Sequence, residues 1–146
     1  MIYTNRYEVK KFLESYKNVK QEVDRLNALK KELELDMVSL KAVDYSKTRV
    51  DGGAGDACVL DVVIDRIADI DKKIIEAIEK KYSTEQSVIA FINRLDNKNN
   101  DVDILMDRYI HLLKYHTIER KYSYTYETVR NKISLAYKRL ALLSKV

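Results

Sequence analysis

One stretch near the carboxyl end carries side chains suited to hydrogen bonding with nucleic-acid bases. Tyr126 opens a predicted helix, and Glu127, Arg130, Asn131 and Ser134 follow on one face of it. Arginine and asparagine near the start of such a helix make paired hydrogen bonds to base edges in the major groove of DNA. We therefore predict that these five residues contact the bases of double-stranded DNA.

Cations surround that face. Natural candidates for contacts to DNA phosphates are Lys114, Arg120, Lys121, Lys132, Lys138 and Arg139. From Leu105 to Val146 there are nine Lys/Arg against three Asp/Glu, whereas Met1 to Ile104 has 18 against 20. A basic terminal module of this kind favours a polyanionic partner, with a merely solvated basic helix as the plain alternative.

The other face of the same segment is apolar and would seat the helix on the protein. Its residues are spaced four, three, four and three, which predicts one buried stripe: Val129, Ile133, Ala136, Leu140 and Leu143. Thr125 is a suitable N-cap for this helix. A shorter helix precedes it, with Ile118 and Tyr122 facing inward, and the chain turns at Ser123 and Tyr124. The pattern predicts a helix-turn-helix.

The amino-terminal segment predicts one long helix from about Asn5 to Lys41. Its apolar residues alternate three and four apart, as in a heptad seam: Val9, Phe12, Tyr16, Val19, Val23, Leu26, Leu33, Met37 and Leu40. Lys30 occupies the one seam position expected to be apolar. A polar seam residue can fix register or partner choice, although a lysine can equally extend past a partner helix into solvent.

A second long helix is predicted from near Asp56 to about Asp96. Its stripe comprises Leu60, Val63, Ile67, Ile70, Ile74 and Ile78, and Val62, Ile64 and Ile75 widen the face. Ser83 with Gln86 resembles a capping box that could break the helix, but the phase of the stripe continues, so we favour one helix. Two such helices predict an antiparallel hairpin, and the wide face favours a homodimer through this arm.

Two polar segments separate the predicted elements. The chain has no Pro, and its glycines, Gly52, Gly53 and Gly55, fall in a predicted flexible loop at 42–57, with Asp56 as a candidate cap of the next helix. Residues 96–101 form a polar hinge. Asp101 would cap a helix to Leu113 whose apolar face is Ile104, Leu105, Tyr109 and Leu112. We therefore predict an all-α fold, with a helical-hairpin arm over 1–96 and a helix-turn-helix over 101–146.

Several function classes find no support in the sequence. Cys58 stands alone, and His111 and His116 are five residues apart, which does not suit two ligands on one helical face, so we expect no metal and no cofactor. We find no catalytic constellation and predict that the chain is not an enzyme. No apolar run approaches the roughly 18 residues of a membrane span, and no signal-peptide stretch opens the chain, which predicts a cytoplasmic protein.

The carboxyl-terminal region is rich in tyrosine, with six between Tyr109 and Tyr137. These rings could stack on bases, but Tyr109, Tyr115 and Tyr122 fall on inward positions, which favours packing. Tyr126, at the start of the last helix, is the one that we expect to be exposed.

The segment RYIHLLKYHTIERKYSYTYETVRNKISLAYKRL resembles sigma-factor region 4, in the form found in small sigma-like regulators of Gram-positive phages and prophages. The matching positions are Arg108-Tyr109, Ile118, Tyr124, Thr128-Val129 and Ala136. Tyr115 stands in the family's Trp position, Lys114 in a Ser position and Thr125 in the capping Ser position. The resemblance implies control of phage genes, typically late genes, through promoter DNA in a bacterial host, with host RNA polymerase as a further candidate partner.

Three positions depart from that family pattern and keep other functions open. Glu119 replaces a small residue between the two helices, Ser123 replaces the turn glycine, and Leu135 replaces an arginine. One alternative is a protein-interaction adaptor whose helix-turn-helix no longer binds DNA. Another is a recognition subunit for DNA packaging, which also joins a helix-turn-helix to an oligomerising hairpin.

Overall fold

The computed structural model describes residues 2–46 and 54–145, with side chains at 2–42 and 59–145. Within those residues the chain is all-α, as predicted, with five α-helices and no strand. It divides into two compact units. We call Gln21–Lys80 the arm unit, and Met1–Lys20 together with Lys81–Val146 the core unit. The first turns of the first helix thus belong with the carboxyl-terminal module, a division that differs from the predicted boundary at 96–101.

Two long helices, α1 (Arg6–Ser46) and α2 (Ala54–Ile92), carry the heptad-like stripes of the sequence. Ser83 does not interrupt α2, so the prediction of one continuous helix is confirmed there. Both helices extend into the predicted loop at 42–57, and the rest of that loop, with its glycines at 52 and 53, lies outside the described residues. Because α2 begins at Ala54, Asp56 lies inside the helix, and the prediction that it caps α2 is wrong. The side chains of Asp56 and Cys58 are also outside the described part.

In the arm unit the two helices run antiparallel. Lys30 Nζ lies 2.7 Å from Asp71 Oδ1 across the hairpin, and Glu22 lies near Lys73 and Lys80. The buried seam includes Val23, Leu26, Val63 and Ile74. The seam lysine is therefore only partly covered and pairs with the opposite helix, while Val62, Ile64 and Ile75 of α2 remain exposed.

The core unit adds three short helices to the ends of α1 and α2. A 3-10 turn at Lys98–Asn100 leads into α3 (Asp101–Tyr109), followed by α4 (Tyr115–Tyr122) and α5 (Tyr126–Ser144). Helices α3, α4 and α5 pack against one another. The largest fully buried side chains of this core are Val9, Leu13, Val88, Ile92, Ile104, Leu105, Ile118, Val129 and Leu140.

The structure corrects two predictions about α3. The helix ends at Tyr109 instead of Leu113, because the chain reverses at Leu112, whose φ is 55°. Leu112 is therefore outside the helix, although Ile104, Leu105 and Tyr109 are buried as predicted. Asp101 is not the N-cap: Asn100 precedes the helix in the left-handed region, and Asp101 is a buried residue of the first turn.

The stripe of α5 is buried as predicted except at its end. Leu143 is 38% exposed, whereas Tyr137, Ala141 and Ser144 are buried in its place. The reason is the amino-terminal segment, which covers that side of the helix: the Tyr3 backbone N–H donates to Ser144 Oγ at 3.0 Å. Tyr3 also packs with Phe12 and Phe91, with ring centroids 5.2–5.4 Å apart.

Candidate nucleic-acid interface

A three-residue turn, Ser123 to Thr125, joins α4 to α5, a length typical of a helix-turn-helix. Ser123 takes the left-handed conformation, with φ 56° and ψ 41°, although glycine is the residue that adopts it most cheaply. The backbone N–H groups of Ser123 and Tyr124 both donate to the Glu119 carbonyl oxygen and close the end of α4. The turn is therefore formed without glycine.

Thr125 begins α5 as predicted. Its backbone is extended, and its Oγ1 accepts a hydrogen bond from the Thr128 backbone N–H at 3.3 Å. The two threonine hydroxyls are also within 2.9 Å of each other. Since a threonine cap satisfies one of the N–H groups that a helix start leaves without a partner, this contact fixes where α5 begins.

Asp107 of α3 anchors the end of α4. Its side chain is buried and accepts two hydrogen bonds from Lys121 Nζ, at 3.0 and 2.9 Å, and one from the Tyr122 hydroxyl at 2.6 Å. A buried carboxylate needs such partners, because burial without them would be costly. Lys121, a predicted phosphate contact, thus has a structural partner inside the protein.

Asp101 has the same role on the other side of the module. Arg139 Nη1 donates to Asp101 Oδ2 at 3.0 Å, and Lys132 Nζ lies 4.0 Å from Asp101 Oδ1. Lys132 also donates to the Asn99 carbonyl oxygen and lies 5.1 Å above the Tyr124 ring. Two more of the predicted phosphate contacts are therefore attached to the start of α3.

The other three predicted phosphate contacts point into solvent. Lys114, Arg120 and Lys138 are exposed, and none of them has an ion pair or a side-chain hydrogen bond within the described part of the chain. Lys114 immediately precedes α4 and Arg120 lies in its last turn, while Lys138 lies on the outward face of α5. These three cations are available to an external anion without first breaking an internal contact.

The predicted base-reading residues divide in a similar way. Glu127, Arg130 and Asn131 are exposed in the first turns of α5, with no side-chain hydrogen bond to other described residues. Tyr126 is half-exposed, and its ring meets the edge of Tyr115 with the centroids 5.5 Å apart. Ser134 is half-buried, and its Oγ accepts a hydrogen bond from Arg6 Nη1 at 2.9 Å.

Ser134 lies in a cleft of about 390 Å³ between the first turns of α1 and the side of α5. The cleft is lined by Arg6, Tyr7, Lys10, Tyr115, Arg130, Ile133, Ser134 and Tyr137. The three residues from α1 were not predicted as site residues. The four-residue spacing of Arg6 and Lys10 places both on one helical face, but no local pattern indicates that this face meets α5.

Tyrosines of the module pack as predicted, and one pair lies deep in the core. Tyr109 and Tyr137 are buried, and their hydroxyl groups are hydrogen-bonded to each other. Burial raises the pKa of Tyr137 to about 12 and raises the pKa of Tyr109 well above its usual value. Neither hydroxyl is placed to contact an external ligand.

The Arg108-Tyr109 pair, one of the matches to the sigma-like pattern, has a packing role. The guanidinium carbon of Arg108 lies 4.3 Å from the Tyr115 ring centroid, and its Nη1 donates to the Leu113 carbonyl oxygen at 3.0 Å. This arginine orders the segment between α3 and α4 by stacking and hydrogen bonding. The pair thus contacts residues at and just before the start of α4, the first helix of the helix-turn-helix.

The described residues offer neither a metal-ligand cluster nor a membrane-spanning helix. No group of three or more His, Cys, Asp or Glu side chains there could hold a metal ion, and His111 and His116 are both exposed. None of the described helices combines the length and the apolar character needed to cross a membrane.

No protein-family model, curated protein or solved structure matches this chain. The likeness to sigma region 4 therefore remains a resemblance that rests on the residues quoted above. What the chain does is inferred from its own geometry.

Proposed function

We propose that the chain is a sequence-specific DNA-binding regulator that reads DNA with α5. The supporting observation is that the second helix of a helix-turn-helix, capped by Thr125, carries exposed Arg130 and Asn131 in its first turns. Arg130 and Asn131 offer the paired donors and acceptors that distinguish guanine and adenine edges in the major groove. Lys114, Arg120 and Lys138 contact phosphates, and Lys121, Lys132 and Arg139 join them where their internal partners allow.

The sigma-like resemblance supplies the biological setting of this proposal. It favours a phage or prophage regulator in a bacterial cytoplasm, acting on promoters of phage genes, most often late genes. Host RNA polymerase is then the second partner, and the arm unit offers the surface for it or for a second copy of the chain.

Selection of bound sequences from a random pool of double-stranded DNA tests the proposal directly. Purified protein is expected to enrich one motif over successive rounds. The Arg130→Ala, Asn131→Ala double variant is the control, because it removes both base-reading side chains from the surface without touching the core. Failure of the wild-type protein to enrich any motif contradicts sequence-specific binding.

A second candidate function, a protein-interaction adaptor, is favoured by two apolar side chains on the outward face of α5. Leu135 is 52% exposed and Leu142 is 64% exposed, seven residues apart on a surface that also carries Lys138. The two functions differ in their response to salt, since a DNA binder that neutralises several phosphates loses affinity steeply as salt rises. Binding to DNA that is weak and independent of sequence, with no steep salt dependence, favours the adaptor.

A further inference from the structure

We propose that the first turns of α1 are part of the DNA interface, and that the α1–α5 cleft seats one phosphate of the DNA backbone. The proposal rests on the proposed function, because it assigns to the DNA duplex a site beside the reading helix. It goes beyond the helix-turn-helix because Arg6 and Lys10 lie more than a hundred residues away in the sequence, on a different element.

The cleft has the charge of an anion site. Three of its eight lining residues are cations, Arg6, Lys10 and Arg130, and no Asp or Glu is among the residues described as lining it. Arg6 and Lys10 are one helical turn apart on α1, so both present their charges to the same opening. Arg130 faces them from α5. Arg6 and Lys10 of α1 can thus hold the oxygens of one phosphate together, while the Arg130 guanidinium adds positive charge beside them and remains available to a base.

Other side chains that line the cleft orient one of these cations and add a further hydrogen-bond donor. Ser134 Oγ accepts the hydrogen bond from Arg6 Nη1 at 2.9 Å, which orients one nitrogen of the guanidinium and leaves its other N–H groups available. Tyr137 and Ile133, which also line the cleft, are buried side chains of the core. The largely exposed Tyr7 adds a hydroxyl group at the rim, which is a further donor for a phosphate oxygen.

The position of the cleft along α5 matches a backbone phosphate. Glu127, Asn131, Leu135 and Lys138 mark the fully outward face of the helix, and Arg130 and Ser134 lie along its edge, next to α1. A helix in the major groove has a phosphate backbone on each side of it. The edge beside α1 would therefore meet one strand, and the edge with Lys132 and Arg139 would meet the other.

The test compares Lys10→Ala with Lys11→Ala. Both lysines are exposed on the same turn of α1, but Lys11 does not line the cleft, so the two variants lose the same charge at different places. Affinity for the selected duplex is measured by fluorescence anisotropy over a series of salt concentrations. Each phosphate contact contributes about 0.9 to the slope of log affinity against log salt.

The expected result is a loss of roughly five- to tenfold in affinity for Lys10→Ala at about 0.1 M salt, with the salt slope reduced by about 0.9. Lys11→Ala should keep the wild-type slope and nearly the wild-type affinity. Lys10→Glu should weaken binding further than Lys11→Glu. Equal melting temperatures of the four variants verify that the fold is intact. If a Lys10 variant unfolds, Arg6→Gln is measured in its place.

Two outcomes overturn the inference, and they are distinguishable from failure of the proposed function. If wild-type protein binds its selected duplex and the Lys10 and Lys11 variants have the same slopes, the cleft does not seat a DNA phosphate, although the proposed function stands. If millimolar inorganic phosphate raises the melting temperature of the wild type but not of Lys10→Ala, while duplex affinity is equal in both, the cleft takes a small phosphate ligand instead. If wild-type protein enriches no DNA motif, both proposals fail together.

Discussion

At the scale of single residues, the charges of the terminal module have two different tasks. Asp101 and Asp107 are buried carboxylates that hold Lys121, Lys132 and Arg139, whereas Lys114, Arg120 and Lys138 remain in solvent. A count of cations in the sequence cannot separate these groups. The carboxylates that hold the first group come from α3 and reach them only in the folded chain.

Replacing Asp101 with asparagine tests this division. The change removes a negative charge and releases Lys132 and Arg139, so affinity for duplex DNA should rise several-fold, most strongly at low salt. The free energy of unfolding should fall by about 1 kcal/mol, because the ion pairs lost are partly exposed. Asp103→Asn is the matched control on the exposed side of α3. Equal DNA affinity in the two variants would contradict the idea that Asp101 restrains the two cations.

The buried tyrosines predict a dependence of stability on alkaline pH. In the unfolded chain the pKa of tyrosine is about 10, whereas burial in the folded chain raises the pKa of Tyr137 to about 12 and also raises the pKa of Tyr109. The folded state therefore keeps protons that the unfolded state loses, and stability falls as pH rises above about 10. Each tyrosine contributes a slope of about 1.4 kcal/mol per pH unit.

Urea denaturation between pH 9 and 12, as a rough window around those pKa values, measures this effect. Tyr109→Phe should make the decline shallower, because one of the tyrosines whose pKa is raised in the folded chain is gone. Tyr7→Phe is the control, since Tyr7 is largely exposed, and it should leave the slope unchanged. The same slope in all three proteins would mean that neither buried hydroxyl sets the alkaline stability.

At the scale of elements, the turn between α4 and α5 contains one residue in an unfavourable backbone conformation, which lowers the free energy of unfolding slightly. Ser123 is left-handed, a conformation in which a β-carbon is unfavourable. Ser123→Gly should therefore raise the free energy of unfolding by about 0.5–1 kcal/mol, even though glycine gains more entropy in the unfolded chain. Thermal unfolding checks this, and DNA affinity should not change.

Ser39→Gly is the matched control for the turn. Ser39 is exposed within the helix α1, where glycine costs up to about 1 kcal/mol relative to good helix formers. The same substitution is thus expected to stabilise at one serine and destabilise at the other. Destabilisation at both positions would show that the turn does not hold Ser123 in the left-handed region.

Local patterns in the sequence were sufficient to predict much of the helical organisation. The start of α5 at Thr125, the continuity of α2 through Ser83 and the burial of Ile104, Leu105 and Ile118 all follow from spacing and capping chemistry. The predictions fail where contacts with a segment distant in the sequence determine whether a residue is buried. Asp101 is buried because α5 supplies its cations, and Leu143 is exposed because Tyr3 covers the neighbouring side of α5.

The same reason explains why the α1 residues of the candidate site were not predicted. Arg130 and Asn131 can be identified from one helix, since their exposure follows from the apolar stripe opposite. Arg6 and Lys10 lie on a charged turn of α1 that has no distinctive pattern. They form part of the candidate site only because α5 lies beside them. Only the folded structure brings these residues together.

At the scale of the whole molecule, the arm unit exposes several large apolar side chains. Ile64 and Ile75, about half-exposed, lie along the same flank of α2, and Lys30 pairs across the hairpin with Asp71. We propose that this flank joins two copies of the chain. Paired subunits would present two helix-turn-helix modules to two half-sites on DNA, as dimeric DNA-binding proteins do.

Ile75→Lys tests this pairing. The side chain is exposed, so a lysine there should leave the monomer folded while placing a charge in the proposed dimer interface. Mass measurement by light scattering should give a dimer for the wild type and a monomer for the variant. Glu76→Lys, a neighbouring exposed site, is the control for charge. A wild-type protein that is monomeric at all concentrations would exclude dimerisation through the arm.

The central claim is that α5 reads base sequence through Arg130, and one affinity comparison tests it most directly. Wild type, Arg130→Ala and the distant surface control Arg66→Ala are titrated with the selected duplex and with duplexes changed at each base pair in turn. Arg130→Ala should lose about 1–3 kcal/mol of binding free energy on the selected duplex and should no longer discriminate at one base pair. Arg66→Ala should behave as wild type. Unchanged affinity and unchanged discrimination in Arg130→Ala would contradict the account.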